Sequence, residues 1–189
     1  AQPTLTDLIR EFAQETPNAP AAIWMDQHLS YEELEKRSNR FARLLVQHGI
    51  SPGDMVGFCL QRHTQLVVVW LAIIKTGAAY VPVDAHYPPE RLHYILSDCG
   101  AKLLVTEQAL LDELPEFDGE ILTTEGVSTL SAHLDDAPLD IHIASDQPFY
   151  VIYTSGSTGM PKGTAVSRHY VHHSMSWYLR VYQFKASDR

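Results

Sequence analysis

Between residues 55 and 83 the sequence reads as strand, helix, strand, and the middle piece has almost no polar side. Residues 65–75 carry Val67-Val68-Val69-Trp70-Leu71-Ala72-Ile73-Ile74 without interruption. A helix that is apolar around most of its circumference has to be buried, so the chain must supply enough structure to cover it. The apolar run Met55-Val56-Gly57-Phe58-Cys59-Leu60 precedes it, and Gly77 closes it before Ala79-Tyr80-Val81-Pro82-Val83, which reads as a second strand. Pro82 removes a ladder donor and argues for an edge strand or a bulge.

The same alternation runs through the rest of the chain. Leu5, Leu8, Ile9 and Phe12 recur at helical spacing until Thr16-Pro17-Asn18 stops them, and residues 21–25 read as a strand that turns through Asp26-Gln27-His28 into Leu29. Ser30-Tyr31-Glu32-Glu33 has capping-box spacing, and Leu34, Phe41, Ala42 and Leu45 give the next helix one apolar face until Gly49 and Pro52. Pro88-Pro89 opens another helix along Leu92, Ile95 and Leu96, followed by a strand at 102–106. Residues 107–146 predict a short helix around Leu110, a strand at 120–124 and acidic loops. Strands at 149–153 and 164–166 and a helix over 168–182, with Val171, Met175, Leu179 and Tyr182 on one face, complete the chain. With no repeat, low-complexity tract or flexible linker, this predicts one folded α/β unit, layered sheets with flanking helices.

The formal charge of −9 argues against a nucleic-acid partner, because such domains usually carry a basic face. No Lys or Arg occurs between Lys102 and Lys162, whereas acidic residues run from Glu107 to Asp146, so that stretch reads as a solvated face. Cys59 and Cys99 lack metal-ligand spacing and read as reduced core thiols, which points to an intracellular, cytoplasmic protein. The start lacks a secretory pattern, and the longest apolar run, 66–74, is too short for the roughly 20 residues a bilayer requires. A soluble chain without a membrane partner is the expectation. Ala1 is not an initiator methionine, which leaves a processed chain and a piece of a longer polypeptide both open.

Chemistry concentrates in one stretch, Tyr153-Thr154-Ser155-Gly156-Ser157-Thr158-Gly159-Met160-Pro161-Lys162-Gly163. An apolar strand empties there into glycines, hydroxyls and one lysine. Backbone N–H groups, the hydroxyls of Thr154, Ser155, Ser157 and Thr158, and the Lys162 ammonium are all donors suited to a polyphosphate. A Walker loop is excluded, because counting from Gly156 its second glycine falls on Pro161 and Gly163 follows Lys162. A hydrolase elbow fails because Ser155, not glycine, stands two residues before Ser157. His172-His173 reads as helix surface or as support for a neighbouring site rather than as a metal site, and no dinucleotide fingerprint follows an early strand.

The stretch resembles the signature phosphate loop of the adenylate-forming superfamily, which includes acyl-CoA synthetases, luciferases and the adenylation domains of nonribosomal peptide synthetases. Leu29-Ser30-Tyr31-Glu32-Glu33-Leu34 resembles the first core motif of the adenylation domains. Ile74-Lys75-Thr76-Gly77-Ala78-Ala79-Tyr80-Val81-Pro82-Val83-Asp84 resembles the second, with Thr76 where alanine is usual. The continuation from His86 to Leu96 is typical of the amino-acid-activating branch.

The resemblance implies an N-terminal part of an adenylation domain over 1–189, incomplete at its C-terminus, whose intact form joins an amino acid to ATP, releases pyrophosphate and passes the acyl group to the phosphopantetheine thiol of a carrier protein. By position, Thr154, Ser155, Gly156, Ser157, Thr158 and Gly159 would hold the β- and γ-phosphates, with Lys162 catalytic beside them. A carboxylate–CoA ligase and a non-catalytic folded fragment are the alternatives. Arg168-His169 inverts the His-Arg order that is common after the loop. The resemblance also places the aspartate for the amino-acid ammonium, the adenine, ribose and Mg2+ contacts, and the C-terminal lysine beyond Arg189, so the piece alone is expected to be inactive.

Overall fold

The computed structural model describes residues 3–155 and 160–182. Helix α1 (Leu5–Glu15) starts on a capping box between Thr4 and Asp7. Strands β1 (Pro20–Trp24) and β2 (Gln27–Ser30) form a two-stranded antiparallel sheet. The turn lies at Met25 and Asp26, one residue earlier than the sequence suggests, and Met25 takes a positive φ of 49°. Helix α2 (Tyr31–Gln47) begins on the expected capping box: the Glu33 N–H donates to Ser30 Oγ (3.2 Å), and Glu33 Oε2 accepts from the Ser30 N–H (3.1 Å).

The rest of the chain builds one main sheet. In chain order it comprises β3 (Met55–Cys59), α3 (Thr64–Lys75), β4 (Ala79–Pro82), α4 (Pro89–Asp98), β5 (Ala101–Thr106), a 3₁₀ turn at Gln108–Glu113, β6 (Glu120–Thr123), α5 (Thr124–Ser131), β7 (Pro148–Ser155), β8 (Pro161–Ser167) and α6 (Arg168–Tyr182). The strand order is β6-β5-β3-β4-β7-β8, parallel throughout except for β7 against β8.

Helices cover both faces. On one, Phe41 and Leu45 of α2, Val69 and Ile73 of α3 and Val127 of α5 pack on Val56, Leu103 and Val105. On the other, Leu92, Ile95 and Leu96 of α4 pack on Val81, Leu104 and Val151. Leu103 and Leu104 thus face opposite layers, as a period of two requires. Each fully buried Leu or Ile contributes about 1.5–3 kcal/mol relative to exposure. Gly57 lets α4 come close: a Cβ there would lie 2.7 Å from Leu96 Cδ2.

The helix that the first motif opens meets the second motif in a buried polar cluster. Lys75 Nζ donates to Glu35 Oε2 (2.6 Å), Ser38 Oγ (2.9 Å) and Asn39 Oδ1 (2.6 Å). Burial lowers the ammonium to about 8, against the pull of the Glu35 carboxylate. Thr76 finishes α3: its hydroxyl donates to the Ile73 carbonyl (2.7 Å) and accepts from the Ala78 N–H (3.2 Å). A threonine in that position therefore has a structural use that alanine lacks.

Three expectations change. Pro82 is not on an edge strand, since β4 lies between β3 and β7. Val83 N–H donates to the Phe58 carbonyl, so the alternate position, Pro82, faces β7, where the ladder is limited to the register pair Tyr80↔Tyr150. The missing donor thus falls where no ladder bond is made. Residues 125–131, expected as loop, form α5 together with Thr124, expected as the end of a strand, held by the Thr123 cap on the Gly126 N–H and by buried Val127. On α6, Val171 and Met175 are half-buried, but Leu179 and Tyr182 on the same expected face are exposed.

Candidate functional site

The signature stretch sits at the carboxyl edge of the parallel strands. Because β7 runs parallel to β4, its loop emerges at the edge where β3 and β4 also end. That edge is where open α/β sheets place ligands. A cavity of about 620 Å³ opens there, lined among others by Leu60, Val83, Asp84, Tyr87, Ile152 and Tyr153. Ile152 and Tyr153 immediately precede Thr154.

The ends of the stretch are more ordered than a free loop. β7 continues to Ser155 and β8 begins at Pro161, pairing Tyr153 with Gly163, Thr154 with Lys162 and Ser155 with Pro161. Directly opposed residues of an antiparallel pair share a face, so Thr154 and Lys162 project on one side of the hairpin while Tyr153 and Gly163 occupy the other. Thr154, Ser155 and Lys162 are all exposed. Gly156, Ser157, Thr158 and Gly159 lie outside the described residues. Of the expected phosphate contacts, the structure therefore brings Thr154 and Lys162 together on one side at the mouth of the loop, with Ser155 beside them at the end of β7 and directed to the other side.

Two side chains fasten this hairpin to the body of the protein. The Tyr153 hydroxyl donates to Asp98 Oδ2 at the end of α4 (2.6 Å), and burial together with that carboxylate pushes the phenol's pKa up. Arg168, at the start of α6, is 4% exposed and donates through Nη2 to the carbonyls of Ile74 (3.2 Å) and Ala78 (2.9 Å). It also lies over the Phe149 ring at 5.3 Å. Burial lowers its pKa to about 10. The inverted Arg168-His169 order thus places the guanidinium inward on the second motif's backbone, whereas His169 is exposed and stacks on His173 with centroids 6.3 Å apart. His172 is half-buried; burial, then nearby Arg168, hold its pKa below 6.5.

Among the described residues no group of three or more His, Cys, Asp or Glu could hold a metal ion. None of the described helices is long and apolar enough to cross a membrane. Cys59 and Cys99 are free, and burial pushes the Cys59 thiol up to about 11. Sequence reasoning gave no role to Tyr153, Asp98 or Arg168. Gly163 was the available signal: a Cβ there would meet Tyr153 Cζ at 2.8 Å, which marks the ring opposite as fixed.

The model of the AMP-binding enzyme family matches residues 9–189 of this chain. The chain belongs to the AMP-binding enzymes. This member is 38% identical over 188 residues to tyrocidine synthase 3 of Brevibacillus parabrevis, covering 100% of the chain and 3% of that protein. It is 38% identical over 172 residues to gramicidin S synthase 2 of Brevibacillus brevis, covering 90% of the chain and 4% of that protein. Among solved structures, the AMPPNP-bound form of the nonribosomal peptide synthetase FmoA3 (S1046A) superposes with a TM-score of 0.88 at 30% identity, covering 100% of the chain and 20% of that one. The AMP-binding chain therefore spans a small part of the proteins it matches. Its mixed α/β fold, a parallel-rich sheet with helices on both faces, is one that FmoA3 shares.

Proposed function

We propose that this AMP-binding chain is the N-terminal part of an amino-acid adenylation domain. In the intact protein it would condense an amino-acid carboxylate with ATP, release pyrophosphate, and hand the aminoacyl group to the phosphopantetheine thiol of a peptidyl carrier protein. The register that sets Thr154 opposite Lys162 at the carboxyl edge of the sheet carries this reading.

Attack of the carboxylate on the α-phosphate leaves pyrophosphate carrying the departing charge. Donors already aimed at that charge lower the barrier, because they need no reorganisation as the charge develops. Thr154, Ser155 and the glycine- and hydroxyl-rich residues 156–159 are the donors for the β- and γ-phosphates, and Lys162 supplies a cation beside them. Lys162 is the only Lys or Arg between Lys102 and Arg168, so it meets a polyanion in a segment otherwise short of positive charge. Mg2+ would neutralise further phosphate charge when bound, through ligands outside this chain. The nucleotide-bound FmoA3 structure and the peptide synthetases among the relatives support the same reading.

Amino-acid-dependent ATP–pyrophosphate exchange by the intact protein tests it. Exchange with at least one proteinogenic or modified amino acid is expected. No exchange with any amino acid, together with thioester formation on CoA from another carboxylate, would overturn it in favour of a carboxylate–CoA ligase.

A further inference from the structure

The outer half of β7 lacks the lateral support that the rest of the sheet enjoys. Its ladder to β4 is limited to Tyr80↔Tyr150, and Pro82 supplies no donor beyond that point. On its other side β7 pairs with β8, an edge strand of the six-stranded sheet. The segment that carries Thr154 and Ser155 therefore needs an anchor from above or below the sheet.

Tyr153 supplies one from below. Its ring lies over Gly163 of β8, where any side chain would collide with it: a Cβ would sit 2.8 Å from Cζ and 3.0 Å from the hydroxyl oxygen. The hydroxyl then reaches Asp98, whose carboxylate stands at the last residue of α4, where the helix dipole disfavours negative charge and a donor is welcome. α4 is a firm post, because Leu92, Ile95 and Leu96 are buried in the sheet. One ring thus spans both strands of the hairpin and ties them to a helix, on the face opposite Thr154 and Lys162.

We infer that Tyr153 is a positioning residue for the phosphate loop, latched to Asp98 and accommodated by Gly163, and that the latch holds Thr154 and Lys162 in the direction of the nucleotide phosphates. This rests on the phosphate-binding reading of the loop. Tyr153 acts through its neighbours and touches no reacting atom.

The test uses the intact protein with Tyr153→Phe, Asp98→Ala and the double variant, read by ATP–pyrophosphate exchange, with Lys162→Ala as a reference. Tyr153→Phe keeps the ring and removes one hydrogen bond to a charged group, a loss that corresponds to roughly tenfold or more. The expected result is a KM for ATP raised by about that factor, with the KM for the amino acid unchanged. Asp98→Ala should match it, and the double variant should add nothing further. Equal rises in both KM values, or additive effects of the two variants, would overturn the latch. A silent Tyr153→Phe beside a damaging Lys162→Ala would overturn the latch alone. If Lys162→Ala is silent as well, the phosphate reading falls and takes the latch with it.

Discussion

Two lysines in this chain sit beside hydroxyl residues, and they serve opposite ends. Lys75 is buried, and Glu35, Ser38 and Asn39 take its donors within 2.9 Å. Lys162 is exposed on a strand end, facing the same way as Thr154. In the first place the polar groups satisfy one another and join α2 to α3. In the second they are presented outward at the carboxyl edge of the sheet. Residue type is shared; what separates a structural cluster from one left open to a ligand is where the donors are spent.

The contrast can be broken most forcefully at Lys75. Lys75→Met should lower the unfolding free energy by about 3–5 kcal/mol, because the Glu35 carboxylate stays buried without its main partner. Arg10 is its remaining cation, at 4.0 Å. Chemical denaturation measures the loss, and adding Glu35→Met should recover a good part of it, since two apolar side chains of similar volume can replace a buried ion pair. A Lys75→Met protein of unchanged stability would erase the distinction between the two lysines.

A smaller effect comes from acid. Burial alone would raise the Asp54 carboxyl, but the hydrogen bonds from Lys102 and Ser51 outweigh it and hold the group below its usual 3.8. Lys102 Nζ lies 2.8 Å from Asp54 Oδ1. A carboxyl with a depressed folded-state pKa stabilises the protein above the unfolded value and loses that contribution as pH falls through the folded value. Stability should therefore drop below about pH 3.8, and Asp54→Asn should flatten that part of the pH profile while leaving the proposed exchange activity at neutral pH alone.

Much of the fold was legible because its signals are local. Ser30 and Glu33 announce the start of α2, Gly77 marks the end of α3, and the apolar run 67–74 demands burial. The misreadings involve information that is not local. Pro82 tolerates a central strand because the ladder to β7 stops beside it, which depends on a pairing 70 residues away in sequence (Tyr80↔Tyr150). α5 contains Thr124, Gly126, Ser128 and Thr129, weak helix formers, and stands on buried Val127 and its packing against α2. The candidate site was legible as composition: the hydroxyls, glycines and Lys162 were all named from the sequence. Its geometry was not, because the pairing of Thr154 with Lys162 and the reach from Tyr153 to Asp98 are set by the hairpin register and by the packing of α4.

We propose that the adjoining ends of β7 and β8 present donors to nucleotide phosphate through side chains, Lys162 among them, on which the fold does not depend. Lys162→Ala with Thr158→Ala in the intact protein tests it, by measuring amino-acid-dependent ATP–pyrophosphate exchange and thermal unfolding on the same sample. The account predicts a fall in kcat/KM of about 10²-fold or more with the unfolding midpoint unchanged. Wild-type exchange kinetics, or a loss of stability comparable to that of Lys75→Met, would contradict it.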